Sequence, residues 1–209
     1  MVQEEDLRMA RRSWWLWCWM AASFVILGGS FANAEDLLPK EGTWSSGLRT
    51  GYTTSLDNKG IEMVPVHVHI GYTLFKGKPW ILPEGAFEIG TEPFASIITS
   101  LKKNNAEGYN EFGLVLPSLT YYFNLGVPLY PYIIGGLGIM YKDLRGYHTG
   151  GNFSFMETAG AGLSYFFSEQ IALSAEWRFR HMSNAGIYND NASVNSSLFL
   201  AGISYYLPN

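Results

Sequence analysis

Charge is scarce in this sequence. Asp, Glu, Lys and Arg make up 15% of its 209 residues, against roughly 25% in an average globular domain. The net charge of −4 leaves no basic footprint for nucleic acid. Cysteine is nearly absent: the one residue, Cys18, lies close to the N-terminus. Past it, disulfide and thiol chemistry are excluded. After residue 34 no apolar run reaches the ~18–20 residues that a spanning helix needs, and helical periodicity is poor throughout. What the chain does have is 16% aromatic residues and 23 glycines. Few charges, many aromatics and much glycine fit a β-rich protein whose outside need not meet water.

Residues 1–34 read as a cleaved secretory signal. Arg8, Arg11 and Arg12 form a basic start, residues 14–27 an apolar stretch, and Ala32-Asn33-Ala34 a small-x-small cleavage site. Met9 begins a second, shorter signal of the same form. The apolar stretch is short for a membrane anchor. The mature chain is expected to begin at Glu35 and to form one domain, 35–209.

That domain breaks into runs of period-2 alternation separated by Gly, Pro, Asn, Asp and Lys clusters. Strands are expected near 44–53, 62–74, 85–97, 110–123, 130–141, 152–167, 170–183 and 195–207. Most are long enough to cross a membrane as tilted strands of ~9–11 residues. An even count lets the sheet close and leave no edge, the condition for a sheet in lipid. The expected fold is therefore an all-β, eight-stranded antiparallel transmembrane barrel of the bacterial outer membrane. Connections at 75–84, 124–129 and 168–169 look like short periplasmic turns. Those at 54–61, 100–109, 142–151 and 184–194 look like external loops. A secreted β-sandwich or lipocalin-like barrel is the bland alternative; aromatics and aliphatics on every strand, with tyrosines near the ends, favour the membrane.

The seventh strand separates the faces most clearly. Ile171, Leu173, Ala175, Trp177 and Phe179 share one parity, while Ala172, Ser174, Glu176, Arg178 and Arg180 share the other. The first set is assigned to lipid and the second to a polar lumen, with Arg49, Glu88 and Glu92. His181 and Ser183 continue the lipid-facing series, where a polar pair is expensive unless it has a task. On the eighth strand Asn195 and Ser197 extend the apolar row of Phe199, Ala201, Ile203, Tyr205 and Leu207. Pairing 181 with 195 also pairs Trp177 with Phe199 and Leu173 with Ile203, a consistent register. His181, Ser183 and Asn195 would then cluster on the outer wall, at the depth of the outer leaflet. A serine hydroxyl is a poor nucleophile until an imidazole takes its proton, and residues i and i+2 of a strand share a face.

The run Arg180-His181-Met182-Ser183-Asn184-Ala185-Gly186-Ile187, followed by Asn191 and a strand to the C-terminus, resembles the signature of the PagL-type lipid A 3-O-deacylases. Pro131-Tyr132-Ile133-Ile134-Gly135-Gly136-Leu137-Gly138 is similar to the family's fifth strand. The resemblance implies a serine esterase that removes the 3-O-linked acyl chain of lipid A in the outer leaflet and needs no cofactor. Carried over, Ser183 is the nucleophile and His181 its general base. Asn191 helps form the oxyanion hole with a backbone N–H near Gly186, and Asn184 is the asparagine after the nucleophile. The family's histidine-orienting glutamate aligns with Asn195, and its loop Pro and Gly with Asp190 and Ser193. An amide cannot stabilise imidazolium as a carboxylate does. A non-catalytic barrel of the same family, structural or lipid-binding, is therefore the competing reading.

A replacement acid can be sought on the sixth strand. Glu157 is the single charge in the apolar row of Phe153, Phe155, Ala159, Ala161, Leu163 and Tyr165. Pairing Phe167 with Ile171 would set Glu157 opposite His181, within carboxylate–imidazole reach at a Cβ separation of ~4.5–5.5 Å. Other motifs read as structure. His67 and His69 share a face but lack an evident third metal ligand and are expected to line the lumen; no metal site is expected. The glycines at 135–138 lack the lysine and helix of a phosphate loop. Lys102 and Lys103 are expected in a solvated external loop, with contact to lipid phosphates as the alternative. A solute pore is disfavoured, because eight strands leave an interior just wide enough for side chains.

Overall fold

The computed structural model describes residues 37–57, 59–79, 81–102 and 107–208. The segment read as an export signal and Lys103 lie outside the described residues. Eight strands form: β1 (Trp44–Ser55), β2 (Ile61–Gly77), β3 (Gly85–Leu101), β4 (Glu107–Phe123), β5 (Leu129–Arg145), β6 (Phe153–Phe166), β7 (Ile171–Ser183) and β8 (Val194–Tyr206). Each pairs antiparallel with the next, and β8 pairs with β1 to close the barrel.

The expected strands are present, and the largest differences are at their ends. β3 and β5 run on past 97 and 141, and β4 starts before 110. There the ladder continues through polar pairs such as Glu107 with Arg145 and Glu111 with Lys142. Alternation reports which face meets an apolar medium, whereas backbone pairing has no need of it. Strand ends with polar side chains are therefore invisible to the pattern. The loops between them shrink accordingly.

Parity sorts the side chains as expected. The outward row of β7 exposes Ile171, Trp177 and Phe179, and that of β8 exposes Phe199, Ile203 and Tyr205. Val64, Val66, Val68 and Ile70 do the same on β2. An apolar belt of this extent would be a liability in water and is what a lipid-facing wall presents.

The lumen is filled in three layers. At the end where β1 begins and β8 ends, Leu38 packs with Tyr122, Tyr130, Tyr132, Phe166 and Tyr206. At the loop end, Ile61, Met63, Phe94, Met140, Met156 and Met182 form a second apolar layer. Between them lies an ionic layer. Glu92 accepts from Arg49 at 2.7 Å and from Arg178 at 2.5 Å, and Arg178 also reaches Glu176 at 2.7 Å. His69 bridges Glu88 at 2.7 Å and Glu92 at 3.1 Å. His67 stacks on Phe94 at a ring separation of 5.2 Å. Both histidines thus line the lumen. Buried charges are tolerable when paired and costly when not, and this layer pairs each carboxylate with a cationic or imidazole partner. Lys102 pairs with Glu62 at 3.4 Å in the loop region.

Candidate active site

The site lies where β6, β7 and β8 approach the loop end. β6 and β7 are in the register that places Glu157 opposite His181 and Phe155 opposite Ser183. β7 and β8 place His181 opposite Asn195, with Trp177 opposite Phe199 and Leu173 opposite Ile203. One row across the outer wall therefore reads Glu157, His181, Asn195. Ser183 stands next along β7 on the same face, half-buried like His181 and Asn195.

The imidazole is held from β8. His181 Nδ1 and Asn195 Oδ1 are 2.7 Å apart. With the amide oxygen as acceptor, Nδ1 carries the proton and Nε2 is left with its lone pair, which is the tautomer of a general base. Glu157 is exposed on the wall, and among the described residues no hydrogen bond joins its carboxylate to the imidazole. Ladder geometry gives the reason. The carbonyl of Asn195 accepts from Leu56 N and its N–H donates to Asp57, so both backbone groups point toward β1. His181 and Asn195 are then a non-hydrogen-bonded pair, the kind whose side chains stand closest, at a Cα separation of about 4.5 Å. Glu157 and His181 form the wider hydrogen-bonded pair, at about 5.5 Å. The register expected for Glu157 is present, but its alternation favours the residue on the other side.

Beyond Ser183 the chain leaves the sheet in a tight turn. Ala185 and Gly186 both take left-handed backbone conformations, φ 52° and 81°. A non-glycine residue there is uncommon and often marks a functional site. Asn184, fully buried, organises this turn. Its Oδ1 accepts from Gly186 N at 2.8 Å, and its own N–H donates to Asn191 Oδ1 at 2.9 Å. Its Nδ2 donates to Asp190 O at 2.6 Å and to Thr149 O at 3.2 Å. Asn184 is thus a scaffold rather than a group offered to a ligand. The oxyanion donor is expected from a backbone N–H near Gly186, and the N–H of Gly186 itself is engaged by Asn184. Asn191, exposed, accepts through its oxygen, which leaves its Nδ2 as the donor end of the amide.

The β5–β6 loop buttresses this turn, which no local signal in the sequence announces. Lys142, buried on β5, donates to Gly151 O at 2.6 Å and to Thr149 O at 3.4 Å. Gly150 sits at φ 71°, and a Cβ there would lie 2.4 Å from both Asn184 Nδ2 and Asp190 O. Only glycine lets the two loops approach so closely. On the wall below, Trp177 Nε1 donates to Ser197 Oγ at 3.1 Å, burying that hydroxyl beneath the indole. Among the described residues no group of three or more metal-ligating side chains is disposed to hold a metal ion.

A closed eight-stranded barrel with an apolar belt and a filled lumen is the fold of the small outer-membrane barrels, and the solved structures it resembles are of that kind. They include Neisserial surface protein A (18% identical, TM-score 0.52, covering 78% of this chain and 95% of that one). The outer membrane enzyme PagL is 18% identical, with TM-score 0.48, covering 79% of this chain and 99% of that one. The N-terminal β-barrel domain of Pseudomonas aeruginosa OprF is 15% identical, with TM-score 0.46, over 80% and 98%. At such identity the likeness to Neisserial surface protein A speaks to the fold alone. No curated protein matches the sequence. The profile of the lipid A 3-O-deacylase (PagL) family, however, matches residues 85–204, more than half of the chain, and the chain belongs to that family.

Proposed function

We propose that this chain is an outer-membrane serine esterase that hydrolyses the 3-O-linked acyl ester of lipid A. It would be exported by residues 1–34, cleaved after Ala34, and inserted with its termini periplasmic and its site in the outer leaflet, where lipid A lies. The single observation that carries the reading is the 2.7 Å contact of His181 Nδ1 with Asn195 Oδ1, beside Ser183 on a mainly apolar wall. Nothing in the packing of the barrel calls for an ordered imidazole there. Membership of a family that acts on lipid A supplies the substrate class.

The chemistry follows from the arrangement. His181 Nε2 takes the Ser183 hydroxyl proton as Oγ attacks the ester carbonyl. The oxyanion that forms needs a donor, and the Asn191 side-chain amide would supply it through Nδ2. The bond to the sugar oxygen breaks as His181 returns the proton to it, leaving an acyl-serine. Water, deprotonated by the same imidazole, releases the fatty acid and regenerates Ser183. Asn195 fills the third position through its oxygen, the role an asparagine has beside the histidine of papain-like proteases. It holds the tautomer but adds no charge opposite the imidazolium.

That missing charge is the specific observation behind a second reading, a non-catalytic barrel. Mass spectrometry of lipid A from cells making the wild type or Ser183→Ala, at equal outer-membrane level, separates the two. Loss of one 3-linked hydroxyacyl chain with the wild type alone is expected; the variant should fall by about 10⁴-fold or more, as removal of a serine nucleophile does. Identical lipid A from both strains would leave the non-catalytic barrel.

A further inference from the structure

We infer that Asp57, in the loop between β1 and β2, is a positioning residue for the hydrolytic site: fixed by Lys59, its carboxylate holds the backbone of Asn195 and thereby the imidazole of His181. This rests on the esterase reading above.

The β1–β8 ladder ends with Ser55 opposite Ser196. One step further, Leu56 N–H still donates to Asn195 O at 2.8 Å. In a continuing antiparallel ladder the returning bond would run from Asn195 N–H to the carbonyl of Leu56. Here the chain turns away, and Asn195 N–H donates instead to Asp57 Oδ2 at 3.3 Å. A side chain thus replaces the backbone acceptor at the one residue that orients the histidine.

The carboxylate is itself fixed. Lys59 Nζ donates to Asp57 Oδ2 at 2.8 Å and also to Ser193 O, two residues before Asn195. Tyr147 Oη, from the loop between β5 and β6, donates to Lys59 O at 3.0 Å. Both charged side chains are only about a quarter exposed or less, 25% and 20%, so solvent screens this pair less than an open surface pair. The second oxygen, Asp57 Oδ1, is buried and has no hydrogen-bond partner among the described residues. Burying half a carboxylate unsatisfied costs stability; an N–H that only needed an acceptor could be served by a neutral group or water. The arrangement fits a device for fixing the segment 193–195, not one for stabilising the barrel.

The site needs such a device. Asn195 is one of the first residues of β8, next to a loop, and its amide must present oxygen to Nδ1. Had the amide rotated to present Nδ2, the imidazole would be driven to the other tautomer, and Nε2 would lose its ability to accept the serine proton. Holding both backbone groups of Asn195 restricts that freedom from the side opposite His181.

The test uses the full chain refolded in detergent, with lipid A as substrate, and four variants: Asp57→Ala, Asp57→Asn, Asn195→Ala and the double variant Asp57→Ala/Asn195→Ala. Folding is checked by the mobility shift of unheated barrel on a gel. Asp57→Ala should lower kcat by about tenfold with KM within about twofold, the signature of misplacement rather than lost binding. Asp57→Asn, whose amide oxygen can accept the same N–H, should recover most of it. In the Asn195→Ala background Asp57→Ala should add less than about a twofold loss, because it acts through the residue already removed. An undiminished effect in that background, or one on KM alone, overturns the inference. The tautomer of His181, read from its ¹⁵N shifts, gives a readout that needs no turnover. The wild type should hold the proton on Nδ1, and Asp57→Ala should shift population to Nε2. If the wild type has no deacylase activity the esterase reading fails, yet an unchanged tautomer in Asp57→Ala overturns the positioning role and a shifted one supports it. Should Asp57→Ala not fold, Lys59→Met loosens the same carboxylate and is read in the same two backgrounds.

Discussion

The lumen and the outer wall of this barrel both carry polar groups in apolar surroundings, and they carry them in opposite ways. Inside, each carboxylate is paired: Glu92 takes Arg49 and Arg178, Glu176 takes Arg178 and the hydroxyl of Tyr132, and Glu111 takes Arg180 and Ser96. Outside, His181, Ser183, Asn195 and Glu157 interrupt an apolar surface, and the one bond recorded among them joins His181 to Asn195. Carboxylates buried and ion-paired in the lumen serve to hold the barrel together. The outer row, bonded only between His181 Nδ1 and Asn195, keeps an acceptor nitrogen and a hydroxyl for something else. Residue type does not distinguish the two, since Glu92 and Glu157 are both strand glutamates; which face each occupies does.

The comparison is broken most directly by exchanging the effects. His181→Ala should lower deacylation by about 10⁴-fold, since the nucleophile loses its base, while urea unfolding of the barrel in vesicles stays within ~0.5 kcal/mol of the wild type. A large loss of stability would mean the imidazole is structural. In the lumen the signs reverse. Glu92→Gln leaves Arg49 and Arg178, each only 1–2% exposed, with the single carboxylate of Glu176 to share and an amide between them. Removing one partner of a buried ionic set costs about 3–5 kcal/mol, so the unfolding midpoint should fall sharply while folded protein keeps its turnover. A stable Glu92→Gln barrel would show that water reaches this layer.

Asn191→Ala comes next in size. Its amide oxygen takes the Asn184 N–H, aiming the nitrogen end elsewhere. Loss of one oxyanion donor lowers kcat by about 10²–10³, and kinetics with a short-chain ester in detergent would read it. A change in KM alone would make Asn191 a substrate contact instead.

How much of this could be read before folding depends on how far apart the interacting residues lie. The barrel, the faces of β7 and the 181–195 register follow from period-2 alternation, because one wrong step would turn Trp177, Phe199 and Ile203 inward together. The strand ends at Ile98, Glu107 and Lys142 did not show, since pairing there no longer separates apolar from polar faces. At the site, the strand residues were legible and their supports were not. Asp57 and Thr149 reach it from other loops and Lys142 from β5, with ordinary polar identities and no local spacing to mark them. An oxyanion donor is expected from a backbone N–H near Gly186; the N–H of Gly186 itself donates to the Asn184 side chain, two residues back.

Glu157 tests the finest part of the comparison, because sequence and structure weigh it differently. Its register opposite His181 is as expected, yet the alternation of the ladder makes 157–181 the wide pair and 181–195 the narrow one, and Nδ1 is bonded to Asn195. Glu157→Gln keeps the size and removes the charge. If Asn195 alone orients the imidazole, kcat should change by less than about threefold, the residue of a screened charge at an exposed position. Asn195→Ala should cost clearly more. A loss with Glu157→Gln as large as with Asn195→Ala would mean that the imidazole turns to the carboxylate when substrate displaces water from the wall. The acid missing from β8 would then be supplied from β6, and the outer wall would hold a charged set as complete as those inside.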